Sequence, residues 1–285
     1  MQYSFNQGQK AVITVKKIIV IILGTCVFFS GTSFAQGIYK THTFGTGFET
    51  FYIDNKEDTN PDVSWDGTMY GGYFDYAFHG SNKLMAGADL SFAYGELTYD
   101  GYLYPSGQNY NADSDDWIVE IRGLVGYDIS VGSGSILTPF TGFGSRYWND
   151  KVQSPYGYER ELTYYYSPIG FIFAAPITGT WNWGIQAEYD LFWGGKVESH
   201  LSDLGAGWSD AENEWDAGDG YGVRGSIWFA GNVNDNVGMR IEPFVRYWDI
   251  DDSDIDTVNT PSGSAYLYEP ATTVFAAGVR VGLEF

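Results

Sequence analysis

Beyond about position 36 the chain alternates between apolar and polar residues with a period of two, the signature of strands with two unlike faces. The clearest run is Trp181 to Val197. One face carries Trp181, Trp183, Ile185, Ala187, Tyr189, Leu191, Trp193 and Val197; the other carries Asn182, Gly184, Gln186, Glu188, Asp190, Phe192, Lys196 and Glu198. A soluble β-sandwich also alternates, so length decides. An unbroken run of about seventeen residues is far longer than the ~5–6 of an ordinary strand.

Nine further segments behave alike, at approximately 43–54, 66–78, 84–98, 117–129, 135–148, 160–174, 220–230, 237–249 and 269–285, giving ten with 181–197. Their connections alternate in length. Short turns fall at 79–83, 130–134, 175–180 and 231–236, and long polar loops at 55–65, 99–116, 149–159, 198–219 and 250–268. The pattern predicts an all-β fold, a transmembrane antiparallel up-and-down β-barrel of about ten strands with long outer loops and short periplasmic turns. Closure leaves no strand edge and pairs every backbone group, as lipid requires.

The two faces then have separate solvents. On the last strand Phe275, Ala277, Val279, Val281, Leu283 and Phe285 suit lipid, while Gly278, Arg280, Gly282 and Glu284 suit an enclosed lumen. All seven arginines fall on the lumen side: Arg122, Arg146, Arg160, Arg224, Arg240, Arg246 and Arg280. The acids assigned to the same side are Glu49, Asp75, Asp89, Glu120, Asp128, Glu188, Asp190, Glu198, Glu242 and Glu284. A lipid-facing Arg near the midplane costs ~2–4 kcal/mol, so this segregation fits a membrane barrel. Interior charges predict Arg–carboxylate bridges and a largely occluded lumen, since ten strands barely exceed the eight that side chains can fill. Trp65, Trp117, Trp148 and Trp248 at the loop side, and Trp181 and Trp183 at the turn side, suggest two interfacial belts.

The first 35 residues read differently. Lys10, Lys16 and Lys17 precede an apolar run from Ile18, and Ser33-Phe34-Ala35 is a small-x-small cleavage site. This predicts a cleaved signal peptide over 1–35 and a barrel domain over 36–285. The only cysteine, Cys26, lies in the leader, so no disulfide is expected in the mature protein. Loss of three lysines takes the formal charge from −21 to −24, a balance that argues against nucleic acid as a partner.

The Ser33-Phe34-Ala35 site, the ten alternating strands and the terminal Val279-Arg280-Val281-Gly282-Leu283-Glu284-Phe285 together resemble the bacterial outer-membrane β-barrel superfamily. That resemblance implies export to the Gram-negative outer membrane and assembly by the barrel-assembly machinery, with Phe285 as the assembly signal. It also implies contact with outer-membrane lipid and lipopolysaccharide. Ten strands and five large outer loops are similar to the omptin proteases, which place an Asp-x-Asp and an Asp-x-His pair on opposite rim walls. Neither required pair is present as such: the third strand ends at Asp100, with Asp113, Asp115 and Asp116 farther along the loop, and the seventh ends Val197-Glu198-Ser199-His200, so the candidates are Asp100, Glu198 and His200. A general base needs an orienting carboxylate within reach, and the spacing supplies no matched one.

Other chemistry is thinner still. The run Asp249 to Asp256, with Asp251, Asp252, Asp254 and Asp256, offers oxygen ligands suited to Ca2+ or Mg2+ but lacks an EF-hand's Gly and Glu. It reads first as a solvated loop, and no other cofactor is expected. No Gly-x-Ser-x-Gly elbow occurs. The aromatic segments Tyr156 to Glu161 and Thr163 to Tyr166 read as belt before they read as a sugar or peptide site. The function expected is a non-enzymatic structural, surface-binding or narrow-channel barrel, with a rim-sited hydrolase as the alternative.

Overall fold

The computed structural model describes residues 40–285 apart from 104, 105, 133 and 179; the leader expected over 1–35 lies outside the described residues. In chain order the strands are β1 His42–Glu57, β2 Val63–His79, β3 Leu84–Leu103, β4 Gln108–Tyr127, β5 Ile129–Val131, β6 Ser135–Val152 and β7 Glu159–Thr178. There follow β8 Trp181–Ser199, β9 Ala211–Trp215, β10 Gly220–Asn232, β11 Gly238–Ile250, β12 Asp256–Thr260, β13 Gly263–Leu267 and β14 Thr272–Glu284. Ten of them close a ring in the order β1, β2, β3, β4, β6, β7, β8, β10, β11, β14 and back to β1. Each neighbouring pair is antiparallel, including the closures of β14 on β1 and of β10 on β8. The ten-stranded closed barrel is the fold that the alternation implies.

Lipid-facing strands need only ~9–11 residues to cross a bilayer. The 20 residues of β3 and of β4 therefore run well past it. The segment 99–116, expected as a long loop, is a projecting hairpin in which Asp100 pairs with Asn111 and Leu103 with Gln108. The apolar-polar alternation is weak there because small and polar residues dominate, although the ladder continues and Tyr99 and Tyr102 still pack against the core. The expected loops at 198–219 and 250–268 also contain structure, a 3-10 turn at Leu201–Leu204, the short strand β9 on the edge of β8, and the β12–β13 hairpin. The segment 117–129 breaks at Asp128, and β5 begins after it.

Large apolar side chains cover the outer wall. Phe48 is 82% exposed, and Tyr70, Ile121, Val125, Phe143 and Ile169 are all more than half exposed. Such a continuous greasy surface is stable only against lipid. At its upper edge Tyr52, Tyr94, Tyr147, Tyr221 and Tyr247 donate their hydroxyls to Asp66, Asp115, Glu161 and Asp249, the last shared by two tyrosines, at 2.5–3.2 Å. Trp117 joins this girdle, its ring 4.8 Å from that of Tyr147.

The face assignment slips once. Tyr165 pairs with Gly194 but Tyr166 pairs with Phe192, so Trp193 is an extra residue in β8. Gly194 takes φ +136°, a backbone state that side chains disfavour. Beyond this bulge the parity of β8 is reversed. Val197 is fully buried inside, whereas Lys196 and Glu198 point outward, against their expected place in the lumen.

Inside the outer half lies a packed core rather than a polar channel. Phe51, Ile53, Met69, Leu97, Tyr164, Tyr166, Phe192, Trp215 and Ile250 belong to one buried cluster. Trp65, Trp148 and Trp248, expected in an interfacial belt, are 1–3% exposed and fill this core. Their positions have lumen parity, and burying a large aromatic ring inside outweighs placing it at the interface.

Candidate functional site

Side chains divide the lumen into successive levels. At mid-height, Arg224 on β10 reaches Glu120 on β4 with Nη1 to Oε2 2.7 Å, and Asp190 on β8 with Nε to Oδ2 2.6 Å. Arg122 donates to both oxygens of Glu188 at 2.8 and 2.7 Å. A second group joins Arg280 and Arg246 to Glu49 at 2.8 and 3.3 Å, and Arg280 to Asp89 at 3.1 Å. Lower down Arg240 meets Glu242 at 2.9 Å and Glu284 at 3.5 Å. Arg146 lies 5.5 Å over the ring of Trp148. The contributing strands β1, β3, β4, β8, β10, β11 and β14 supply alternate residues, so strand parity brings together groups up to 231 residues apart in sequence.

Above the ion pairs, Tyr166 packs edge-on to Trp248, and Tyr164 touches Phe192, Trp215 and Trp248. These rings form a dry plug. Over the plug, Arg160 binds Asp150, Glu57 and Glu269 at 3.1, 2.9 and 2.6 Å and stacks on Trp65 at 4.4 Å. Glu269 lies between β13 and β14. Burial, reinforced by Glu57 and Asp150 and opposed by Arg160, pushes its carboxyl up to about 8. Burial also pushes the neighbouring Tyr158 hydroxyl up. Sequence reasoning placed Arg160 in the lumen but missed Glu57, Asp150 and Glu269, which lie at strand ends or in a loop where alternation gives no signal.

The outer loops form a crown with its own small core of Leu201, Ala211 and Val258, flanked by Tyr158, Leu204, Trp208 and Leu267. Buried Asn213 ties it down by donating to the carbonyls of Asp254 and Leu267 at 3.0 and 3.1 Å, and Trp215 donates to that of Asp251 at 2.8 Å. The acids 252, 254 and 256 accept backbone N–H groups of Ala271, Glu214 and Thr257 at 2.6–2.7 Å. Among the described residues, no group of three or more His, Cys, Asp or Glu side chains is disposed to hold a metal ion. Exposed apolar groups stand on the crown, notably Tyr266 (82% exposed), Ile255 and Tyr156.

The candidate hydrolytic residues are scattered. His200 Nε2 lies 3.1 Å from Glu161 Oε1, on the outward side of the wall, and Glu161 also accepts the Tyr147 hydroxyl. Glu198 is held by Lys196, which also binds Glu212 at 2.9 Å. Asp100 is exposed on β3, and three strands, β4, β6 and β7, separate it from β8.

Below the ion pairs, at the short-turn end, the lumen opens into a cavity of about 250 Å3. Its walls differ. Met85, Leu124, Ile172 and Trp228 make one side apolar, while Asp75, Asp89, Arg240, Arg280 and Glu284 make the other charged. At its edge Asp128 joins His79 Nδ1 at 2.7 Å and accepts the Thr138 hydroxyl at 2.6 Å.

The fold matches solved outer-membrane barrels. The outer membrane protease OmpT of Escherichia coli superposes with a TM-score of 0.59 at 9% identity, covering 86% of this chain and 95% of that one. OprG of Pseudomonas aeruginosa matches at 15% identity and TM-score 0.37, covering 85% and 93%. The toluene transporter TodX of Pseudomonas putida matches at 10% identity and TM-score 0.35, covering 85% and 89%. No protein-family model and no curated protein matches the sequence. At such identity the likeness to OmpT is one of architecture alone, that of an outer-membrane β-barrel.

Proposed function

We propose that this protein is a non-porin barrel of the bacterial outer membrane, a closed scaffold that presents a rigid loop crown for binding at the cell surface. The observation that carries the reading is the double closure of the lumen, by the Arg224–Glu120–Asp190 ion pairs and by the Tyr166–Trp248 plug above them. Arg122, Arg224, Arg240, Arg246 and Arg280 are each paired with lumen carboxylates, which leaves little free charge to draw ions through. The outward greasy wall with its tyrosine girdle supports residence in lipid, and the crown's exposed Tyr266, Ile255 and Tyr156 supply a binding face. The reading includes export by a cleaved leader, assembly by the barrel-assembly machinery through Phe285, and an outer leaflet of lipopolysaccharide around the girdle. Ca2+ or Mg2+ enters it only as counter-ion to the acidic loops.

Single-channel recording of the refolded protein in planar bilayers tests the closed lumen. We expect no sustained conductance; large steady steps would sink the reading.

A rim-sited hydrolase has one observation in its favour, the His200–Glu161 contact. That pair faces away from the mouth, and the other candidate acids are engaged elsewhere or lie on distant strands. Peptide cleavage that disappears in His200→Ala would establish the hydrolase in place of the scaffold.

A further inference from the structure

The β12–β13 hairpin has one covered face and one bare face. Val258 and Leu267 lie on the side that packs into the crown core. Cross-strand pairing sets Tyr266 opposite Thr257 on the other side, and the same alternation carried one residue further puts Ile255 and Tyr268 there too. Tyr266 is 82% exposed, Ile255 66% and Tyr268 49%. The hairpin is fixed from beneath. Asn213 donates to the carbonyls of Asp254 and Leu267, the Ser253 N–H donates to the Glu269 carbonyl at 2.9 Å, and the Glu269 N–H donates to Ser253 Oγ at 2.8 Å. An apolar face held rigid in this way loses little conformational freedom when something docks on it.

The surface beside this face carries charge of one sign. No Lys or Arg occurs between Lys196 and Arg224 or between Arg246 and Arg280, while residues 201–219 and 249–269 hold six acids each. Among the described residues, cations from other parts of the chain reach only three of these acids: Lys151 meets Asp203 at 3.5 Å, Lys196 meets Glu212 at 2.9 Å and Arg160 meets Glu269 at 2.6 Å. Glu214, Asp216 and Asp251 are exposed, and among the described residues their carboxylates enter no ion pair or hydrogen bond. They border the segment that leads into Ile255, because the Glu214 carbonyl accepts the Asp254 N–H at 3.0 Å and the Asp251 carbonyl accepts Trp215 Nε1 at 2.8 Å. An apolar face rimmed by unneutralised carboxylates attracts a cationic polypeptide and repels anionic lipid or polysaccharide.

We propose that the bare face of the β12–β13 hairpin docks a basic amphipathic segment of another protein, with its apolar residues on Tyr266, Ile255 and Tyr268 and its lysines or arginines beside Glu214, Asp216 and Asp251. The inference rests on the reading of the crown as a binding face, but its test is separate, since conductance reports the lumen and peptide binding reports the hairpin. A barrel that stays closed yet binds no peptide loses this inference alone.

Synthetic peptides of equal length are titrated into the purified full barrel in nonionic detergent and followed by fluorescence anisotropy: one alternates arginine with leucine, one arginine with serine, and one glutamate with leucine. We expect saturable one-to-one binding of the arginine–leucine peptide, binding of the arginine–serine peptide weaker by about tenfold, and no binding of the glutamate–leucine peptide. Tyr266→Ser combined with Ile255→Ser should abolish the preference for leucine. Glu214→Gln combined with Asp216→Asn and Asp251→Asn should weaken the arginine–leucine peptide by about tenfold. All five side chains are exposed, and folding of each variant is scored by the difference in gel mobility between unheated and boiled protein. The two variants are independent, so misfolding of one leaves the other to decide. The proposal is overturned by no arginine–leucine binding at about 100 µM, by equal binding of the arginine–serine peptide, by a folded variant that binds like the parent, or by calcium displacing the peptide at constant ionic strength, which would make the carboxylates a cation site.

Discussion

Arg224 on β10 and Glu120 on β4 meet across the lumen, Nη1 to Oε2 2.7 Å, although three strands separate them along the wall on the β6–β8 side. The contact is a cross-brace, not a ladder neighbour. Both partners are buried, so each holds the other's charge in a place water does not reach.

Removing one end of the brace exposes what it stabilises. Arg224→Met leaves Glu120 and Asp190 buried without their shared cation, a defect costing about 3–5 kcal/mol. Adding Glu120→Gln should recover part of the loss, because one of the stranded charges disappears with its partner. Urea midpoints of refolded protein in lipid vesicles measure both; equal stability of Arg224→Met and the parent would show the brace to be idle.

The membrane assignment predicts a position-specific penalty. Ile121 is 58% exposed on the outer wall, between the girdle residue Trp117 and the short-turn end of β4, where it pairs with Ser145 on β6. Ile121→Arg should cost ~2–4 kcal/mol in a bilayer. The same change on a water-facing wall would be close to neutral, so the folding free energy in vesicles discriminates.

At the β8 bulge, the backbone of Gly194 has φ +136° and its Cβ position lies 2.8 Å from the Trp215 carbonyl oxygen. Gly194→Ala should therefore destabilise the barrel by about 1–3 kcal/mol. Because Lys196, Val197 and Glu198 depend on the same parity switch, it should also raise the accessibility of a cysteine placed at Val197. An unchanged labelling rate would mean that the bulge is not what sets the parity.

Glu269 makes the crown respond to pH. Its carboxyl sits at about 8 when folded, against a usual 4.5, because burial and the nearby Glu57 and Asp150 outweigh Arg160. The folded state therefore holds a proton that the unfolded state has released. The stabilisation is fully present below about pH 4.5 and is lost as pH rises through about 8. Proteolysis of the outer loops should accelerate across that window, and Glu269→Gln should flatten the dependence. Acceleration in the opposite direction would contradict the assignment.

The barrel was legible because lipid and lumen impose opposite demands on alternate residues. Trp181 to Leu191 and Val237 to Trp248 carry that contrast without interruption. Legibility ended where the contrast ended. The hairpin at 99–116 meets the core through Tyr99 and Tyr102 and through buried polar Ser114 and Asp116, so its strands left no continuous apolar stripe. Lys196 and Glu198 were misplaced because a bulge shifts parity without any composition signal beyond the Gly194-Gly195 pair. Trp65, Trp148 and Trp248 were read by type, as interface formers, when their parity already placed them inside. Glu57, Asp150 and Glu269 converge on Arg160 only through the closure of the ring, which brings strand ends and a loop together at 2.6–3.1 Å.

The stopper in this barrel is made of its own staves. Among the described residues, Tyr164, Tyr166, Phe192, Trp248 and the arginines beneath them belong to the wall strands, whose backbones are held by the ladder on both sides, and only Trp215, on β9 at the edge of β8, joins the plug from the crown. A folded-in loop or a separate plug domain can be pulled aside while the wall stays intact; here the obstruction and the wall are one object. Permeability is thus tied to the integrity of the fold, and a mutation that opens a path must first hollow out the structure that keeps the barrel round.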